Sequence, residues 1–329
     1  MLVVGAGAVG CYVGGALQQA GAAVQFVGRP RMLAALAAQG LRLTDLDGRL
    51  QKLRPDQLSL HTNVPTGGPP PALVLRCVKS GATASAAAEL GRAMPAGTPV
   101  LSLQNGVANA DVGAAQAPAL HWLPGMVPFN IAELGPGHLH RGTGGRLAAQ
   151  DDPALRTWLP AFAAAGLPLN LHADLQPVLW GKLLLNLNNP VNALSGLPLR
   201  AQLLDAGYRR ILAALQREAL AVMATAGIQP AQVGSVKPSL LPWVLRLPDV
   251  LFKRLAGRML RMDERARSSM ADDLALGRPP EIDALCGAVV RLAQAQGRTA
   301  PLNTAMVRLL SGPKPAPMSA AALRQAMKA

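Results

Sequence analysis

Residues 1–10, "MLVVGAGAVG", decide the fold: four apolar residues, then Gly5, Gly7 and Gly10 set among alanine and valine. Glycine loses more backbone freedom on folding than any other residue, so three within six positions need a structural reason. Two readings compete. The first 17 residues carry no charge, as in the apolar segment of a secretory signal. Such a segment, however, follows a positive stretch and is poor in glycine. Here no Lys or Arg precedes Arg29. The second reading places a short buried strand at Leu2–Val4 and a turn over Gly5–Gly10. A helix follows over Cys11–Ala20, closed by Gly21, and then a second strand over Ala22–Val27. Strand, G-x-G-x-x-G, helix and strand in that order make a dinucleotide site. Gly5 allows the tight turn, Gly7 lets the backbone approach a pyrophosphate, and Gly10 permits close helix–strand packing. Gly5, Ala6, Gly7, Ala8, Val9 and Gly10 then form the phosphate floor, with free N–H groups at the helix start.

The end of the second strand selects the dinucleotide. NAD sites place a carboxylate there for the ribose 2′-hydroxyl, whereas NADP sites use arginine. The sequence reads "VQFVGRPRM", with Arg29 nineteen residues past Gly10 and no acid before Asp45. A guanidinium suits a 2′-phosphate, so NADPH is the expected cofactor.

Composition bounds the rest. At 329 residues the chain is long enough for two domains. Half of it is hydrophobic and 15% charged, a globular balance with an aliphatic core, since aromatics make up 3%. Cys11, Cys77 and Cys286 are too few and too scattered for a disulfide framework, and no Cys/His spacing suggests a metal. A reducing, cytoplasmic setting is expected. The apolar stretch 238–252 is broken by Pro242, Arg246, Pro248 and Asp249, so no membrane span is expected. The net charge of +14 admits nucleic acid, anionic surfaces or acidic ligands. Nucleic acid would need a reading module or stacking aromatics, and ten aromatic residues in all supply neither.

Strand-like runs alternate with helices through the first half. "ALVLRCVKS" (72–80) reads as a strand ending at Lys79, and "TPVLSLQNGV" as another ending at Gln104-Asn105-Gly106. Ligands of open parallel sheets lie beyond the carboxyl ends of strands, so Lys79 and Asn105 are cofactor candidates. Residues 123–148 read as strand–turn–strand, and "ALRTWLPAFAAAG" as a helix. A brief strand near Leu167–Leu171 follows, with the domain boundary near residue 170. The expected architecture is α/β: an N-terminal Rossmann-type domain over 1–170, then an all-helical domain over 171–329.

In the second half, helices are expected over Asp205–Gly227, Asp263–Gly277 and Pro280–Gly297. "WGKLLLNLNNPVNALSG" (180–196) sets Lys182 and Asn186 four apart on one helical face, with Asn189 seven along. Pro190 disturbs the helix there, because its ring clashes with the Asn186 carbonyl. The direction of Asn192 is therefore left open. Four asparagines among leucines build a helix poorly and line a polar pocket well. In "ARSSMADDLALGRPPEID" (266–283), Ser269 and Asp273 are i,i+4 partners, and Glu281 opens the next helix.

Together "GAGAVG", "VK" at 78–79, "QNG" at 104–106, "WGKLLLN" at 180–186 and "SSMADDLALGRPPEID" at 268–283 resemble the ketopantoate reductase family across nearly the whole chain. The resemblance implies a Rossmann domain, a helical domain, an active site in the cleft between, and NADPH-dependent reduction of 2-dehydropantoate to (R)-pantoate. It implies Lys182 as proton donor, Asn186 and Ser269 as substrate contacts, and Glu281 near the nicotinamide ribose. It also matches Gly5–Gly10, Arg29, Lys79 and Asn105 to cofactor contacts. One departure stands out. The family's second asparagine falls eight residues after the lysine, where this chain has Pro190, so Asn189 or Asn192 fills that role.

The implied partners are a small 2-oxo acid, with no nucleic acid, membrane or metal, and a monomer or homodimer. Alternatives are a paralogue acting on another 2-oxo acid or ketone, and a non-catalytic NADP(H)-binding regulator. A nucleic-acid binder using Lys253, Arg254, Arg258, Arg261, Arg265 and Arg267 is a third.

Overall fold

The computed structural model describes every residue except 256, 258–265, 313–315 and 329. The expected basic cluster falls partly on these: Arg258, Arg261 and Arg265 lie outside the described residues, as does Asp263, the expected start of a helix. The chain divides into two compact units, Met1–Leu175 and Gln176–Ala329.

The first unit holds twelve strands: β1 (Leu2–Val4), β2 (Gln25–Val27), β3 (Leu41–Asp45), β4 (Leu50–Leu53), β5 (Ser59–His61), β6 (Val74–Arg76), β7 (Pro99–Ser102), β8 (His121–Met126), β9 (Ile131–Gly135), β10 (His138–Arg141), β11 (Leu147–Gln150) and β12 (Leu169–His172). Six helices accompany them: α1 (Ala8–Gln19), α2 (Pro30–Gln39), α3 (Thr83–Ala93), α4 (Asn109–Gln116), α5 (Pro153–Arg156) and α6 (Leu159–Ala164). One sheet runs β12-β11-β8-β7-β6-β1-β2-β5, parallel except for the β8–β11 pair. From β1 the chain builds outward through β2 to β5, then returns to lay β6 on β1's other side. That reversal makes the switch point at which an open α/β sheet binds ligands.

A second sheet, β4-β3-β10-β9, covers the other side of α1. It was not expected as a separate layer, because residues 123–148 read as one strand–turn–strand and prove to hold four strands or parts of them. The buried Arg141 donates to Asp45 at 3.0 Å and ties β10 to β3. Helix α1 is consequently enclosed on both faces, and Gly10 through Leu17 are all buried. A Cβ on Gly14 would meet Val3 Cγ2 at 2.7 Å in one sheet, and one on Gly15 would meet Leu41 Cδ2 at 2.5 Å in the other. An element buried all round has no polar stripe to show, which explains the charge-free N-terminus. The helix begins at Ala8, three residues before the expected start, and β2 begins at Gln25, three residues later. Pro160 divides the expected helix after residue 153 into α5 and α6.

Among the described residues the second unit is all helical: α7 (Gln176–Asn186), α8 (Asn188–Ser195), α9 (Leu199–Leu204), α10 (Ala206–Thr225), α11 (Leu241–Leu245), α12 (Asp249–Leu255), α13 (Ser269–Ala275), α14 (Ile282–Gln294), α15 (Pro301–Ser311) and α16 (Ala320–Ala326). Asp205 caps α10 by accepting from Gly207 and Tyr208. The fully buried Arg209 stacks on Phe252 at 4.2 Å and donates to four backbone carbonyls and Asp249. Among the described residues, no helix is long and apolar enough to cross a membrane.

Candidate active site

In the first unit the glycine loop has the geometry that its spacing demands. Gly5 sits at φ +105, and a Cβ there would lie 2.5 Å from the Val78 nitrogen. A Cβ on Gly10 would lie 2.2 Å from the Gly5 carbonyl oxygen. Gly7 differs: a Cβ there meets nothing within 4 Å, so its face opens outward. Gly7 is also the N-cap of α1, and no side chain caps it, which leaves the first N–H groups of a twelve-residue helix for a ligand. Cradle, open face and donors fit a pyrophosphate. Arg29 is exposed two residues past β2, as the N-cap of α2.

Strands β6 and β7 end at Arg76 and Ser102, shorter than expected, so Lys79 and Asn105 stand on loops beyond them. A buried polar network joins these loops. Arg76 donates to Ser102 Oγ (2.9 Å) and to the Asn109 carbonyl (2.5 Å), and its guanidinium lies 4.6 Å over Trp122. Ser102 donates to Gln104 Oε1 at 3.0 Å, and Gln104 Nε2 donates to the Val78 carbonyl and Thr83 Oγ1. Ser80 and Asn109 both donate to the Asn105 carbonyl. Sequence reading missed this frame, although a charged residue inside the apolar run "ALVLRCV" was a signal for it. Burial without a carboxylate partner pulls the Arg76 pKa down to about 10.

In the second unit, α7 carries Lys182 and Asn186 one turn apart. Gly181 lets the Ala231 carbonyl pack against α7, since a Cβ would stand 2.2 Å from that oxygen. Helix α7 stops at Asn186, Leu187 forms a turn, and α8 restarts at Asn188 with Pro190 in its first turn. Gln216, buried in α10, donates to the Leu184 carbonyl beside the break. Burial pulls the Lys182 ammonium down from 10.5 to about 8, and the Glu281 carboxylate pushes the other way. The structure thus brings Lys182 and Glu281 together.

Asn189 and Ser269 are half-buried, and among the described residues neither side chain has a hydrogen-bond partner. Asn192 differs, because it is fully enclosed with its carboxamide engaged at both ends. Helix α13 starts at Ser269, with Ser268 as its cap. Among the described residues no cluster of three or more His, Cys, Asp or Glu could hold a metal. Burial raises the Cys11 thiol to about 12 and moves Cys77 and Cys286 the same way, so none is poised as a nucleophile.

Residues 1–153 match the family described as Ketopantoate reductase PanE/ApbA, and residues 174–314 match its C-terminal counterpart. A 2-dehydropantoate 2-reductase of Halobacterium salinarum is 32% identical over 301 residues, 89% of this chain and 92% of that protein. A PanE/ApbA family ketopantoate reductase structure from Ralstonia eutropha JMP134 superposes with a TM-score of 0.76 at 31% identity, covering 100% of this chain and 99% of that one. A D-mandelate dehydrogenase solved with NADH and anilino(oxo)acetate shares the fold, with a TM-score of 0.75 at 18% identity and full coverage of both chains. With a Rossmann-type unit, a helical unit and a relative this similar over nearly its whole length, the chain belongs to the ketopantoate reductase family of oxidoreductases.

Proposed function

We propose that this protein is an NADPH-dependent 2-dehydropantoate 2-reductase, forming (R)-pantoate for pantothenate and coenzyme A synthesis. The observation that carries the reading is the amine of Lys182, desolvated to a pKa of about 8 beside Glu281, on the helix that bears Asn186. Bound NADPH supplies the hydride. As negative charge develops on the substrate oxygen, Lys182 stabilises it and then delivers the proton. A pKa near 8 keeps the amine charged at neutral pH while making it a far better acid than a solvated lysine. Glu281 prevents desolvation from discharging it. Asn186 and Asn189 orient the substrate's hydroxyl and carbonyl groups, and the Ser269 hydroxyl donates to its carboxylate. Of the two asparagines left open by the sequence, Asn189 takes the second substrate role, because the Asn192 carboxamide is already committed.

Support on the cofactor side comes from the Gly5–Gly10 cradle, from Arg29 as reader of the 2′-phosphate, and from Lys79 and Asn105 on the adjoining strand-end loops. A second reading, reduction of a different 2-oxo acid, is favoured by the break at Leu187. Just past that break, Asn189 stands one residue nearer the lysine than the family's usual spacing. Following NADPH and NADH oxidation over a panel of 2-oxo acids separates the two. Saturable turnover of 2-dehydropantoate with NADPH preference is expected, and faster turnover of another acid would replace the substrate while keeping the chemistry.

A further inference from the structure

The displaced asparagine has a position that its sequence did not reveal. Asn192 is 0% exposed. Its Oδ1 accepts from the Ser268 N–H at 2.9 Å, and its Nδ2 donates to the Leu197 carbonyl at 2.9 Å. Ser268 in turn donates from Oγ to the Asn189 carbonyl at 3.3 Å and accepts from the Ala271 N–H at 3.2 Å. Just upstream, the Ala266 carbonyl accepts from the Leu199 N–H at 2.8 Å. Helices α8 and α13 pack side by side around this tether. Asn189 and Ser269 are therefore held on the two sides of one buried bridge, each a single residue or turn from it.

Resting on the proposed function, we infer that Asn192 is a positioning residue that sets the spacing between Asn189 and Ser269. It determines how well the site grips a 2-oxo acid without touching that acid. A carboxamide suits the task because it offers an acceptor and a donor on one planar group, and both backbone partners are buried. A leucine of similar volume would leave the Ser268 N–H and the Leu197 carbonyl unpaired. The α13 segment would then settle elsewhere and carry Ser269 with it.

The test is steady-state kinetics of the full-length enzyme carrying Asn192→Leu. The expected result is a rise of about tenfold or more in KM for the 2-oxo acid, with KM for NADPH within about twofold of wild type. A merely structural role would lower the active fraction, and with it kcat, while KM stayed put. Combined with Ser269→Ala, Asn192→Leu should cost less in kcat/KM than the product of the two single losses, because both act on one contact. Multiplicative losses, or an unchanged substrate KM in Asn192→Leu, would overturn the inference. Should Asn192→Leu fail to fold, Ser268→Ala removes the hydroxyl that both joins Asn189 to the tether and caps α13, and must also raise substrate KM. If the wild-type enzyme turns over no 2-oxo acid, the functional reading has failed on its own. Amide exchange then still decides the tether: the Ser268 amide, which donates to Asn192 Oδ1, should exchange about tenfold faster in Asn192→Leu than in wild type, relative to α10, and equal protection would refute it.

Discussion

The Gly5–Gly10 loop and the Lys182–Asn192 segment both present polar groups from an apolar wall, with opposite materials. The first is almost all backbone: it offers N–H groups, its side chains are small and apolar, and Gly5 and Gly10 carry none because a Cβ there would collide with main-chain atoms. The second is almost all side chain: an amine, carboxamides and, on neighbouring helices, a hydroxyl and a carboxylate. A backbone site tolerates almost no substitution but needs little tuning, whereas a side-chain site depends on the dielectric around each group. At Lys182, burial draws the amine down to about 8 while the Glu281 carboxylate pulls it up.

The contrast can be broken most severely at Lys182. Lys182→Ala should lower kcat about 10²–10⁴-fold, the usual range for a lost general acid, while NADPH binding measured by fluorescence titration barely changes. Gly10→Ala should do the reverse. Its Cβ, 2.2 Å from the Gly5 oxygen, forces the loop open, costs about 1–3 kcal/mol of stability in denaturant titrations, and weakens NADPH binding. Arg29→Ala tests the one side chain assigned to the cofactor's 2′-phosphate. Loss of a charge-assisted bond of about 1.5–3 kcal/mol should raise KM for NADPH about ten- to hundredfold and leave NADH unaffected.

The smallest effect sharpens the electrostatics. In the proposed mechanism the charged amine donates the proton, and burial draws its pKa to about 8, so kcat for reduction should fall as pH rises through 8. Glu281→Gln removes the group that raises that pKa, so the falling limb should move to lower pH. A limb that stayed in place would assign it to a group other than Lys182.

The backbone site was legible because its rule is local. Gly5, Gly7 and Gly10 are fixed by steric needs within a few residues, and the strand before them and the helix after them follow from the same ten letters. The Lys182 helix was legible up to Asn186 for a similar reason, since four-residue spacing holds while a helix continues. Beyond Asn186 the wheel failed. Pro190 announced a disturbance, but whether Asn189 or Asn192 faced outward depended on where the chain turned, at Leu187, and on what packed there. The partner that occupies Asn192 is the Ser268 amide, 76 residues away, which no local pattern encodes. The Arg76–Ser102–Gln104 network is similar, because each member looks like an ordinary strand or loop residue until the strands are laid side by side. The second sheet escaped for a related reason: β3 and β10 pair in parallel across almost a hundred residues of chain.

That pairing has a consequence for how the protein is made. Helix α1 has two apolar faces, and the sheet that covers one of them is completed only by β9 and β10, ending at Arg141. During synthesis helix α1 therefore emerges with a face that β3 and β4 cover only in part until β9 and β10 have followed. Loop closure over such a distance is slow, and exposed apolar surface attracts chaperones and other chains meanwhile. The helix that carries the phosphate floor thus gains the last of its cover from strands made far downstream.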